Sequence, residues 1–325
     1  MLITFVGTDK GNNSAKKAAA LTAGLLSLSN GNRVCLLQLG YDTKDMVSLL
    51  IGKEKTESAV SVLDTFGTTE IMKGLDALMS KANTESILSA DTLYSAADAM
   101  ITTENRFDVM LGSKKESFDT ELKSNMKFAS LKKVLTSMTA SENDVEAEIP
   151  YDFVVLYIPN NCPRLGELVA LSDINVCCVR QGEREEPLLN DTKNVFLITH
   201  YETESVYDVK YIKKAYAKDC SKAQVFPMLH NVSFKDACMG MNLRKWLVKN
   251  YAITEDDDNY EFVSKMQKFV NYISDTEQVY EPDPTPLKRQ KKKKEKTVKQ
   301  RKEKKAAPVE QVQVEDIQAD AEKEE

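Results

Sequence analysis

The chain has 325 residues, 42% of them hydrophobic and 29% charged, with 44 Lys and Arg against 50 Asp and Glu. That length and balance fit one large domain or two small ones and exclude a membrane bundle, since no apolar run approaches the roughly 18 residues that a spanning helix needs. Two histidines far apart in sequence are too few for a histidine-centred metal or triad enzyme, and six cysteines without CxxC or Cys/His zinc spacing read as reduced packing thiols, so a cytoplasmic location is expected.

The opening MLITFVGTDKG lacks a basic leader region and a cleavage site, so residues 2–6 read as a strand ending at Gly7. An alanine- and leucine-rich helix over 15–28 follows, ended by Asn30-Gly31, and then a fully apolar strand over 34–39. The stretch 53–100 reads as helices with loops, a candidate lid or partner surface. A weak strand at 107–111 and a helix at 121–138 come next. Beyond them the pattern gives strands at 153–158, 175–179, 195–199 and 223–227, with helices at 164–171, 205–217, 243–250 and 259–274. Short apolar strands separated by helices predict an α/β domain over 1–280, a mostly parallel sheet covered on both faces. The segment 281–286 (EPDPTP) holds three prolines and cannot continue a helix, so 281–325 reads as a disordered charged tail.

In such sheets ligands bind beyond the carboxyl ends of the strands, and a loop entering a helix N-terminus is the usual phosphate cradle. Here the candidate runs GTDKGNNSAKK from Gly7 to Lys17. It resembles the KGGVGKT loop of the ParA/MinD superfamily, the deviant P-loop ATPases of the SIMIBI class. Four further segments match in order: NRVCLLQL (32–39) resembles the second strand, and YDFVVLYIP (151–159) resembles the Walker B strand "YDxIIIDxP". LVALSDINVCCVRQ (168–181) resembles the helix, Asp and strand ending in Gln, and the stretch 225–250 resembles the closing "xIPxNxxxxxAxxxG" segment. The resemblance implies a P-loop NTPase-like fold and makes Lys10, Gly11, Asn12, Asn13, Ser14, Ala15, Lys16 and Lys17 the candidate nucleotide-binding residues for ATP or ADP.

Departures from the family pattern bear on the chemistry. Ungapped, Lys10 takes the place of the signature lysine and Ala15 that of the P-loop lysine; one extra loop residue makes Lys16 the P-loop lysine instead. Either way a lysine, Lys16 or Lys17, stands where the family has its Mg²⁺-ligating Thr or Ser. Gln38 and Gly40 replace the second-strand aspartates and Tyr157 replaces the Walker B aspartate, so Mg²⁺ is not an expected cofactor and no catalytic residue is assigned. Asp42 reads either as a stand-in by a shift of register or as a turn residue. His200 stands where the family often has an Asn that contacts adenine, and reads either as a base contact or as a solvent-facing loop residue. Trp246 at helical spacing reads as an anchor for the closing helices.

The tail separates charge sharply. Residues 288–305 carry +10, residues 306–325 carry −6 and the body −10. Lys288, Arg289, Lys291, Lys292, Lys293 and Lys294 are candidate polyanion-binding residues for DNA, RNA or an anionic membrane surface. The alternative is a solubilising tail whose acidic end folds back on the lysines.

Three functions compete. The first is a degenerate ParA/MinD-like localisation or partition scaffold, a homodimer or a binder of a protein partner, with weak or no hydrolysis. Its segment FDVMLG (107–112) and its closing helix resemble TadZ-like pilus-localisation relatives and those of conjugative elements. The second is an active Mg-ATPase of the same family, and the third a polyanion-binding protein working through the lysine tail. The first is the reading adopted.

Overall fold

The computed structural model describes residues 1–7, 13–29, 32–41, 44–52, 75–76, 79, 100–103, 107–110, 112–113, 115–139, 151–182, 194–215 and 224–274. Eight strands form one sheet: β1 (Leu2–Gly7), β2 (Val34–Gln38), β3 (Met100–Thr103), β4 (Phe107–Met110), β5 (Phe153–Ile158), β6 (Ile174–Arg180), β7 (Asn194–Tyr201) and β8 (Gln224–Leu229). Their spatial order is β3-β4-β2-β5-β1-β6-β7-β8. Seven strands run parallel, and β3 closes one edge antiparallel to β4. This is the expected α/β architecture.

The central strands are mostly apolar because helices cover both of their faces; the buried exceptions Thr4 and Asn175 hydrogen-bond to each other at 2.6 Å, Thr4 Oγ1 donating to Asn175 Oδ1. On one face Leu2, Val6, Leu37, Leu156, Ile158 and Phe196 pack with the helical residues Phe118, Leu131, Leu135, Leu168 and Ile212. These come from α3 (Phe118–Glu121), α4 (Asn125–Met138), α5 (Leu165–Ala170) and α6 (Val209–Ala215). Across the sheet, α1 (Asn13–Leu28) and α9 (Tyr260–Ser274) lie against the other face, where Phe269 meets Phe5 and Phe226 edge-on at 6.4 and 5.4 Å between ring centroids. Ala15, Ala18, Ala19, Ala20 and Ala23 are fully buried, so α1 lies close against its neighbours. Gly24 serves the same end: a Cβ there would lie 2.3 Å from Leu247 Cδ1 of α8 (Leu243–Asn250).

Several elements differ from the sequence expectation, each for a local reason. The helix expected over 121–138 is broken, because Ser124 is extended (φ −70°, ψ 134°) and turns the chain so that Phe118 and Leu122 are buried beside Phe128. Arg164, itself left-handed at φ 60°, fixes that corner by donating to the Lys123 carbonyl at 2.8 Å and to Asn125 Oδ1. α6 begins at Val209 rather than 205, since Asp208 Oδ1 accepts from the Tyr211 amide at 2.8 Å and starts the helix there. α2 (Lys44–Ile51), β3 and α7 (Val232–Met239) were not anticipated. Asn231 caps α7 through Oδ1, which accepts from the Phe234 amide at 2.7 Å.

Trp246 is the expected anchor. It packs on Phe234 and Phe262 and donates from Nε1 to Ser233 Oγ at 2.7 Å. Cys35, Cys177, Cys178 and Cys238 are buried free thiols and Cys162 is half-buried; Cys220 lies outside the described residues. Among the described residues no helix is long and apolar enough to cross a membrane. Most of the expected 53–100 insertion and the whole of 281–325 lie outside the described residues.

Candidate functional site

At the carboxyl edge, β1 stands between β5 and β6, and the chain leaves it first towards β2 and later towards β6, β7 and β8. That reversal is the topological switch point where parallel sheets bind ligands. Of the candidate loop, Lys10, Gly11 and Asn12 lie outside the described residues, and Asn13 opens α1. Ser14, Lys16 and Lys17 are half-buried on its first turns, and Ala15 is fully buried as a packing residue. The charge of Lys17 reaches His200 and Cys238. Lys288, Arg289 and Lys291 to Lys294 lie outside the described residues, as does Asp42.

Gln38 and Tyr157 are register partners at the ends of β2 and β5. Gln38 Oε1 is buried with no hydrogen-bond partner among the described residues, and Tyr157 is only 4% exposed. Gly40, at φ +121°, turns the chain after β2, and its carbonyl accepts from the Ser113 amide at 3.2 Å. An amide and a phenol are a poor donor set for Mg²⁺, a hard cation that is held by carboxylates and retained waters. The residues present at these two strand ends therefore do not fit that ion, and no group of three or more His, Cys, Asp or Glu side chains suited to a metal is found among the described residues.

On the other side of β1 the ends of β7 and β8 bring two histidines together. β7 has a register irregularity between Ile198 and Tyr201, and within it His200 adopts a left-handed φ of 54°. The His230 amide donates to the Tyr201 carbonyl at 3.0 Å, tying the ends of β7 and β8 together. The two imidazoles face each other at 6.0 Å between centroids. Burial lowers the His200 pKa, and the electrostatic influence of His230, Lys17, Arg180 and Lys235 lowers it further. The Cys238 thiol below is pushed up to about 11 by burial, so it brings no negative charge.

Gln181 organises the adjoining loop. Its Nε2 donates to the Glu202 and Tyr207 carbonyls at 3.0 and 2.9 Å, and its Oε1 accepts from the Glu202 amide at 2.9 Å. Gly182, at φ +86°, admits Tyr207, whose ring carbon Cδ2 would lie 2.9 Å from any added Cβ. The two histidines, far apart in sequence, are brought together at one edge. The available signal was positional: both histidines directly follow apolar strand runs, and parallel strands bring such ends to one edge.

No family model matches the chain, and no curated protein matches it. Solved structures do. The chain is similar to the MinC:MinD cell division protein complex of Aquifex aeolicus, at 12% identity and TM-score 0.52 over 87% of this chain and 98% of that one. It is similar to a ParA family ATPase from Chlorobium tepidum at 11% identity and TM-score 0.50, covering 83% of this chain and 98% of that one. A plasmid partition protein from Borrelia burgdorferi bound to AMPPNP gives 13% identity and TM-score 0.50, covering 82% and 96%. At these identities the similarity shows the fold: a P-loop NTPase-like α/β sheet, as in ParA and MinD.

Proposed function

We propose that this chain is a ParA/MinD-like localisation or partition scaffold that binds nucleotide phosphates with weak or no hydrolysis. The observation that carries the reading is the pairing of Gln38 with Tyr157 at the ends of β2 and β5, where metal-assisted phosphoryl transfer needs carboxylates. Phosphate binding needs less: the amides opening α1, the helix N-terminus and the lysines at 10, 16 and 17 supply positive charge to an anion. The AMPPNP-bound plasmid partition protein of the same fold favours a nucleotide as that anion, and the MinC:MinD complex favours a protein partner or a second copy of the chain. TadZ-like pilus localisation or a conjugative element is the narrower assignment, resting on FDVMLG (107–112) and the closing helix. In this reading 1–280 is the folded scaffold, and Lys288, Arg289, Lys291, Lys292, Lys293 and Lys294 in the tail contact a polyanion.

Calorimetric titration with ATP and ADP, with and without Mg²⁺, alongside phosphate release, tests the proposal. Micromolar binding indifferent to Mg²⁺ and no turnover are expected. Mg²⁺-dependent turnover abolished by Lys16→Ala or Lys10→Ala would replace this reading with an active ATPase. Absence of nucleotide binding would reduce it to a scaffold acting through partners alone.

A further inference from the structure

We propose that the outer face of the hairpin formed by α7 and α8 is a docking surface for a protein partner that presents an acidic amphipathic helix. The inference rests on the scaffold reading and names the chemistry of its partner. It does not require nucleotide binding, so its failure and the failure of the phosphate titration are separate results.

The first observation is an exposed apolar framework. α7 and α8 pack as a hairpin: Phe234 meets Trp246 at 5.6 Å between centroids, Trp246 donates to Ser233 Oγ, and Asn231 reaches Asn250 through Asn259. Phe234, Cys238, Leu243, Trp246 and Leu247 fill the inner side. On the outer side Val232 is 61% exposed, Met239 68% and Val248 56%. Val232 and Met239 stand about 10.5 Å apart along α7, at 1.5 Å per residue, which is also the spacing of apolar side chains at i and i+7 on a partner helix.

The second observation is charge. Lys235 lies between Val232 and Met239, Lys245 and Lys249 flank Val248, and all three are exposed with no ion pair among the described residues. Arg244 is half-buried and already engaged. The acids nearby in sequence are Asp236 on α7 and Glu255 to Asp258 ahead of α9, where Asp257 Oδ1 accepts from the Asn259 amide at 2.8 Å. On a body that carries −10, three ammonium groups set among exposed apolar side chains match a partner with carboxylates between its apolar residues. Nucleic acid would use the lysines but not the valines and the methionine.

The third observation is backbone geometry at the hairpin's tip. Met241 holds a left-handed φ of 50° directly after Gly240, past a helix end where glycine is the favoured residue. Keeping a methionine there costs conformational energy and sets a second flexible, polarizable side chain two residues from exposed Met239, the residue type suited to adaptable docking.

Trp246 is the only tryptophan of the chain and lies under this face, so its fluorescence reports on the hairpin. The experiment titrates the full chain with a synthetic helical peptide carrying Leu at i, i+3 and i+7 and Glu between them. Its controls are the same peptide with Lys in place of Glu and a short DNA duplex. The acidic peptide is expected to shift Trp246 emission, with an affinity that falls as salt rises. Val248→Asp, and Lys245→Glu combined with Lys249→Glu, are changes at exposed positions, checked for folding by circular dichroism, and each is expected to weaken binding about tenfold. Met241→Gly is expected to raise the unfolding temperature while weakening peptide binding, opposite movements that a packing role would not give. The proposal is overturned if the acidic peptide leaves Trp246 emission unchanged, if the Lys peptide or the duplex shifts it as far, or if the folded variants bind as tightly as the original chain. It is equally overturned if sedimentation shows that Val248→Asp dissolves an existing oligomer, since a second copy would then cover this face.

Discussion

The two ends of the sheet are built on opposite principles. At the amino ends carboxylates satisfy what the strands leave open: Asp173 Oδ2 accepts from the Leu2 amide and Asp152 Oδ2 from the Arg33 amide, each at 2.7 Å. Buried Asp108 accepts from the Tyr151 hydroxyl at 3.0 Å and faces Arg33 at 3.9 Å, while the Arg33 guanidinium lies over the Tyr151 ring at 5.1 Å. Burial pushes the Cys35 thiol and the Tyr151 phenol up, so neither adds a negative charge beside Asp108. At the carboxyl ends Gln38 Oε1 lacks a partner among the described residues, and His200 holds a left-handed φ of 54° beside His230. At one edge polar groups satisfy one another, and at the other a buried acceptor and a strained backbone remain.

That contrast can be broken by substitution. The largest effect is expected for Asp108→Ala, which removes a buried carboxylate that accepts from the Tyr151 hydroxyl and faces Arg33. Urea unfolding should show a loss of about 2–4 kcal/mol. Asp173→Ala removes one charge-assisted hydrogen bond to the Leu2 amide and should cost about 1–2 kcal/mol by the same measurement. At the other edge the sign should reverse: His200→Gly relieves a left-handed φ and should raise stability by about 0.5–1 kcal/mol. A destabilised His200→Gly protein would show that the residue is there for packing.

The smallest effect is in pH dependence. His200 has a folded-state pKa below its ordinary 6.5, so the unfolded chain binds more protons there, and stability should fall as pH drops through that value. Thermal unfolding at several pH values should show this modest loss.

Much of this architecture was legible because buried parallel strands announce themselves as unbroken apolar runs. Residues 153–158 and 243–250 coincide with β5 and α8. What escaped was set by tertiary contacts. β3 is a four-residue edge strand without alternation, and only its pairing with β4 defines it. The break at Ser124 follows from the demand to bury Phe118 and Leu122, which the helical periodicity of 121–138 does not reveal. At the site, Gln38 and Tyr157 were readable from their place at strand ends, because each strand carried its own motif. The pairing of His200 with His230 was not, since the two lie at the ends of separate strands and are joined only by strand order.

The position of β1 also constrains how the chain assembles. It precedes the other strands of the sheet in sequence, yet it lies between β5 and β6 and pairs Leu2 with Val154 and Ile3 with Ile174. Its hydrogen-bonding edges therefore wait for partners some 150 residues later in synthesis, so folding of the sheet's centre is a late, slow event governed by long loop closure. During translation the nascent chain carries an apolar strand with both edges open, the state in which a growing polypeptide is most in need of a chaperone.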